Sequence, residues 1–201
     1  MTALTLIRHG ETDWNRDRRI QGSTDIPLND TGREQAREAG RLLRERLDAA
    51  TPVTVAASDL SRARETAEII AAALGADAPR LYPGLRERAY GEAEGVEADE
   101  FFRRWGDWHS ADVPGAEPRP VLRERALGAL RQAVRDHRRA TGPGEATLIV
   151  VAHGALIREL IGHASGGELP GVGVRLVNGS AHDLLFERDR IRLVSSAVSV
   201  A

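Results

Sequence analysis

Two short, largely apolar runs in this chain end the same way, and that repetition limits its fold more than any other feature. Ala3–Ile7 leads into Arg8-His9-Gly10, and Thr147–Val151 leads into Ala152-His153-Gly154. Apolar, β-branched runs without regular polar alternation read as strands buried on both faces, as in parallel sheets. Parallel neighbours cannot be joined by a hairpin and need a crossover, usually a helix. The chain must therefore supply helical stripes between its apolar runs.

It does so. Thr31–Leu47 has Ala36, Ala39, Leu43 and Leu47 on one face, and Thr31 with Glu34 reads as a capping box. Pro52 breaks the chain, Val53–Ala57 is a further strand, and Leu60–Leu74 is a helix striped by Leu60, Ala63, Ala67, Ile70 and Leu74. Pro79 to Pro120 is irregular, with a short strand near Leu81 and an aromatic cluster of Phe101, Phe102, Trp105 and Trp108. That cluster is either a satellite core under an insertion or a lid walling a pocket, and the two are compatible. Val121–Arg139 is helical and Gly142-Pro143-Gly144 ends it, while Leu156–His163 continues as helix after the second His-Gly. From Val172 onward the tail reads as three short strands, separated at Asn178-Gly179 and at Glu187-Arg188-Asp189. The expected architecture is α/β: a three-layer α/β/α sandwich with a mostly parallel sheet and an antiparallel C-terminal part. One domain spans 1–201, with an insertion at about 92–120 over the active site.

Composition narrows the chemistry by exclusion. There is no cysteine, which removes disulfides, thiolate zinc sites and thiol nucleophiles. All 28 basic residues are arginine, so a Walker-type phosphate loop and a Schiff-base lysine are excluded as well. Every cationic contact is then a planar, permanently charged fork. A net charge of −2 gives no bulk attraction to nucleic acid or to an anionic membrane. No apolar run reaches the ~18 residues of a membrane helix. The N-terminus lacks the pattern of a secretory signal, so a cytoplasmic location is expected.

In open α/β sheets ligands bind beyond the carboxyl ends of the strands. His9 and His153 are therefore expected at one edge, and Gly10 and Gly154 let the backbone approach a ligand there. Arg62 joins them, since it falls in the first turn of the helix after Val53–Ala57, where free N–H groups already favour an anion. Arg8 and Arg62 provide two forks for bidentate contact with phosphate oxygens. Two histidines and two arginines in one crevice describe a site for a dianionic group.

LIRHGETDWN, RIQGSTDIPLNDTG, SDLSRARETA, LRERAYGEAEG and VVAHG, in that order, resemble the histidine phosphatase superfamily, and within it the phosphoglycerate-mutase-like branch. The resemblance implies that His9 is the nucleophile, that Arg8, Arg62 and His153 hold the phosphoryl group, and that Glu87 is the proton donor. It also places Asn15, Gln21 and Gly22 where the family contacts phosphate or substrate. The implied activity is metal-independent hydrolysis of a small phosphomonoester through a phosphohistidine, with no cofactor and no metal. Ala93, where the family commonly has an aromatic, and Pro114-Gly115-Ala116-Glu117-Pro118 depart from the pattern around the insertion.

Three rivals stand beside it: a bisphosphoglycerate-dependent mutase, a non-catalytic module that binds phosphorylated ligands and, weakest, a metallohydrolase using His9 and His153, which no third ligand at zinc-like spacing accompanies. Glu92 and Glu94 read as solvated turn residues and Arg103 and Arg104 as exposed helix residues. His109, His137, His163 and His182 read as surface or core histidines, and Asn178-Gly179 as a turn signal. The expected partner is a small phosphorylated metabolite, with a homodimer as the default assembly.

Overall fold

The structure, a computed structural model, describes residues 1–107, 111–171, 174–187 and 190–196. Trp108 and His109 lie outside the described residues. The strands are β1 (Thr2–Arg8), β2 (Val53–Ala57), β3 (Arg80–Leu81), β4 (Thr147–Ala152), β5 (Ala181–Glu187) and β6 (Arg190–Ser196). The helices are α1 (Asp13–Arg16), α2 (Asp30–Arg46), α3 (Ser61–Leu74), α4 (Ala98–Trp105), α5 (Arg119–Thr141) and α6 (Gly154–Ala164). The strands form one sheet in the order β3-β2-β4-β1-β5-β6. β1, β2, β3 and β4 run parallel, and β5 and β6 close the other edge antiparallel.

Alternation along the central strands sorts their side chains between two helical layers. Leu4, Leu6, Leu148, Val150 and Ala152 face α5 and α6, against Leu122, Leu130, Leu156 and Leu160. Ile7, Val55, Ala57, Ile149 and Val151 face α2 and α3, against Leu43, Ala63, Ala67 and Ile70. This is the expected sandwich. A third, smaller core holds Ile20, Ala93, Phe101 and Val113, with Trp105 packed against it. Phe101 therefore serves the satellite core, while Phe102 is exposed.

Three local expectations are corrected. α2 starts one residue earlier than read, with Asn29 as its N-cap accepting from Gly32 N at 2.9 Å, so Thr31 lies inside the first turn and caps nothing. A capping box does exist, but on α1, where Thr12 and Asn15 bond each other's backbone N–H reciprocally. The tail holds two strands among the described residues rather than three. In its first part Leu176 O accepts from the Arg8 side chain rather than from a neighbouring strand.

The loop leaving β1 is pressed against the start of α2. A Cβ on Gly10 would lie 2.2 Å from Gly32 O, a backbone atom with nowhere to move. Gly10→Ala should destabilise the protein by at least the ~1–3 kcal/mol of an overpacked core. Gly128→Ala, in α5 with nothing within 4 Å of the new methyl, should instead stabilise by up to about 1 kcal/mol through helix propensity. Denaturant midpoints of the two variants check this pair of opposite signs.

Candidate active site

The parallel register of β1 and β4 pairs Arg8 with Ala152, so His9 and His153 leave the sheet side by side. His9 N donates to Ala152 O at 3.0 Å, and the two imidazole centroids are 5.1 Å apart. Both rings are buried, at 3% and 0% exposure. His9 Nδ1 lies 2.6 Å from Gly10 O. A carbonyl can only accept, so Nδ1 carries the proton and Nε2 presents its lone pair. Burial, then Arg62 and Arg8, hold the His9 pKa well below its ordinary value. Burial, then Arg62, His9 and Arg8, do the same for His153. Both rings are thus neutral, which a nucleophilic imidazole requires.

Arg62, in the first turn of α3, is 0% exposed. Its Nη2 donates to Gly22 O at 2.8 Å and its Nη1 to Thr24 O at 2.9 Å. Burial lowers its pKa, and Glu87, Asp25 and Glu94 oppose that shift. Arg8 is lowered to about 10 by burial, with Arg175 and Arg62 adding to the effect and Glu87 opposing it. Both guanidiniums stay charged at neutral pH. Asp25 Oδ1 accepts from Ser61 N at 2.8 Å, tying the loop that holds Arg62 to the start of α3.

Glu87 rests on the N-terminus of α6, as a helix N-terminus favours. It accepts from Ala155 N at 3.0 Å, Leu156 N at 3.1 Å and Arg88 N at 2.9 Å. Gly154 opens the same helix, and a Cβ there would lie 3.5 Å from Arg8 Nε. Asn15 and Gln21 sit on the loop between β1 and α2. Gly22, at φ 57°, shapes that loop and lends its carbonyl to Arg62. The positions singled out in the sequence thus come to one edge of the sheet.

Two residues passed over in the sequence belong here as well. Asn178 Nδ2 donates to His9 O at 2.9 Å and to Asn15 Oδ1 at 3.1 Å. Asn-Gly signals a turn, and no local pattern says that the turn's side chain reaches back across the sheet. Glu94 is half-buried rather than solvated and binds the Gly22–Thr24 loop. Glu92 is exposed, as read. Arg103 and Arg104 are exposed and pair with Glu100 on their own helix. Tyr90 carries the Arg88 guanidinium over its ring at 5.0 Å, and burial pushes its pKa up to about 12. His137 is buried beside Thr54 near the start of β2, His182 is buried opposite Leu6 with its Nε2 3.1 Å from Ser180 Oγ, and His163 is exposed.

Several buried polar atoms around His9 have no partner among the described residues. They are Arg8 Nε, Arg62 Nε, both nitrogens of His153 and the amide oxygen of Gln21. Buried donors are ordinarily paired. Two guanidinium N–H groups and an imidazole left unpaired in this way can each donate to an oxyanion.

Comparison with known proteins agrees with this geometry. A family model described as the histidine phosphatase superfamily (branch 1) matches residues 4–199. The uncharacterized phosphatase PhoE of Bacillus subtilis (strain 168) is 38% identical over 193 residues, covering 96% of this chain and 93% of its own. The metal-independent phosphoserine phosphatase of Arabidopsis thaliana is 33% identical over 192 residues, covering 89% and 76%. A mycobacterial glucosyl-3-phosphoglycerate phosphatase, solved with VO3, superposes with a TM-score of 0.81 at 25% identity, covering 99% of this chain and 100% of that one.

The neutral histidines have a consequence for stability. Unfolded, each imidazole takes up a proton near 6.5, while in the folded chain His9 and His153 do so only at much lower pH. Between those values the unfolded chain binds more protons, so their contribution is complete above 6.5 and is lost as pH falls from there. His137 and His182, also lowered, act in the same direction. Denaturant midpoints should fall steadily from pH 7 toward pH 5, and His153→Asn should flatten the slope. A midpoint unchanged across that range would contradict the burial of neutral imidazoles.

Proposed function

This chain belongs to the histidine phosphatase superfamily and is a phosphatase, and we propose that it hydrolyses a small phosphomonoester without metal, through a phosphohistidine on His9. The observation that carries the reading is the set of unpaired buried donors, Arg8 Nε, Arg62 Nε and His153, converging around a neutral His9. Phosphoryl transfer asks the protein mainly for positioning and for charge around three equatorial oxygens. Two arginines supply here the positive charge that divalent ions supply elsewhere.

In the first step His9 Nε2 attacks phosphorus while the ester P–O bond breaks. Nδ1 keeps its proton on Gly10 O throughout. The leaving alkoxide takes a proton from the carboxylic acid of Glu87. In the second step the Glu87 carboxylate removes a proton from water, the oxygen attacks phosphorus and the N–P bond breaks. Phosphate leaves, His9 is neutral again and Glu87 is again the acid. Glu87 accepts two backbone N–H groups at the start of α6 and a third from its neighbour Arg88. Its role as donor requires one oxygen to exchange such a bond for a proton. Its nearness in charge to both Arg8 and Arg62 supports this role.

Asn15 belongs to the substrate-binding set on the same argument. Its Oδ1 is taken by Thr12 N at 3.3 Å and Asn178 at 3.1 Å, which leaves Nδ2 as the group to donate to an oxyanion. Gln21 and the N–H of Gly154 complete the set. The metal-independent phosphoserine phosphatase among the relatives supports the absence of a metal requirement.

Hydrolysis of an aryl phosphate in excess chelator tests this reading. Wild type should turn over, His9→Ala should lose at least about 10³-fold in kcat, and Glu87→Gln about 10²–10⁴-fold. Acid quenching should trap phosphate on wild type and not on His9→Ala. Full activity in His9→Ala would remove the central assignment. Turnover only after priming with a bisphosphoglycerate would identify the mutase instead.

A further inference from the structure

Glu94 has no place in the chemistry above, yet it accepts more hydrogen bonds than any catalytic candidate. Its Oε1 takes Ser23 N and Ser23 Oγ, each at 2.9 Å, and Tyr90 N at 3.0 Å. Its Oε2 takes Thr24 N at 2.9 Å and Thr24 Oγ1 at 2.5 Å. Burial alone would push this carboxyl up, but the bonds from Thr24, Ser23 and Tyr90 outweigh it and hold the group below its ordinary range. It is a permanent carboxylate at neutral pH.

The loop it binds is the one that grips Arg62. The Gly22–Ser23 peptide donates its N–H to Glu94 and accepts Arg62 Nη2 on its carbonyl. Two residues on, Thr24 donates its N–H to Glu94 and accepts Arg62 Nη1 on its own carbonyl. One anion and one cation therefore face each other across a single turn of backbone, each orienting the peptide dipoles that the other uses. Gly22 makes this possible twice over: its φ of 57° turns the loop, and a Cβ there would lie 2.1 Å from Glu94 Oε1. Glu94 also lies close enough to Arg62 to favour its charged form.

We propose that Glu94 is a positioning residue for phosphoryl binding: its carboxylate, clamped on Ser23 and Thr24, fixes the carbonyls of Gly22 and Thr24 that aim the Arg62 guanidinium at the phosphoryl group. This rests on the phosphatase reading above and adds to it a residue that touches neither substrate nor nucleophile. Glu94→Gln keeps the shape and one accepting oxygen. It sets an NH2 against Thr24 N–H, donor facing donor, so the loop must shift and Arg62 with it.

The test uses the intact chain and two readouts, inorganic phosphate titrated against the protein by NMR and the side-chain 15N signals of Arg62 without phosphate. Glu94→Gln should weaken phosphate binding at least tenfold and should move or broaden the Arg62 signals. Glu94→Asp, which keeps the charge, should recover part of both. In steady state the loss should fall on KM more than on kcat. Phosphate binding within twofold of wild type would overturn the proposal. So would lost binding with Arg62 signals unchanged, since Glu94 would then act through Tyr90 or general stability. Should Glu94→Gln not fold, Ser23→Ala with Thr24→Val removes two donors to the same carboxylate and is read the same way. If wild type itself fails to bind phosphate, the phosphatase reading fails, while the Arg62 signals still decide whether Glu94 positions the guanidinium.

Discussion

The site depends first on one pairing, the parallel register that sets Arg8 opposite Ala152. Sheet side chains alternate with a period of two, so a slip of one residue would send every core residue of β1 to the other layer. That register is held by two different cores, Leu4 and Leu6 against α5 and α6, and Ile7 against α2 and α3. With both faces buried the strand has no room to slide. His9 and His153 are neighbours because hydrophobic packing far from them makes any other pairing costly.

What the register brings together is an electrostatic conflict that the surroundings manage. Arg8, Arg62 and two buried imidazoles share one crevice, and burial, reinforced by the cations, keeps the imidazoles neutral. Three carboxylates, Glu87, Asp25 and Glu94, stand near the wholly buried Arg62, each held by backbone N–H groups rather than by the arginine itself. The negative charge is thus placed close enough to sustain the guanidinium without occupying the N–H groups proposed to hold a phosphoryl group. A direct Arg62–carboxylate pair would have been simpler and would have blocked the site. Holding the fork by neutral carbonyls of Gly22 and Thr24 leaves Nε free.

Much of this was legible in the residues. Apolar runs ending in His-Gly marked β1 and β4, and helical stripes such as Ala63, Ala67 and Ile70 marked the crossovers that force a parallel sheet. From that topology alone Arg62 falls at the same edge as the two histidines, because carboxyl ends of parallel strands share an edge. Glu87 was legible only through the family pattern, since its seat on α6 joins segments 68 residues apart. Helix limits were less legible, as Asn29 capping α2 shows: Thr31 offered the same chemistry two residues later.

The strand-and-helix alternation, the sheet edge that gathers the polar groups and the meeting of Arg8, His9, Arg62 and His153 there were readable from the residues alone. These follow from periodicity and from the direction of parallel strands, which are local properties of the chain. Which polar residues support them depends on contacts that exist only in the folded chain. Glu94 lies in a Gly- and Glu-rich turn and Asn178 in an Asn-Gly turn, and both patterns promise solvent. Folding brings Glu94 against Ser23 and Thr24, and Asn178 against His9 and Asn15. The carboxylate and the amide become structural because the backbone groups they meet, more than 65 residues away in each case, would otherwise be left without partners.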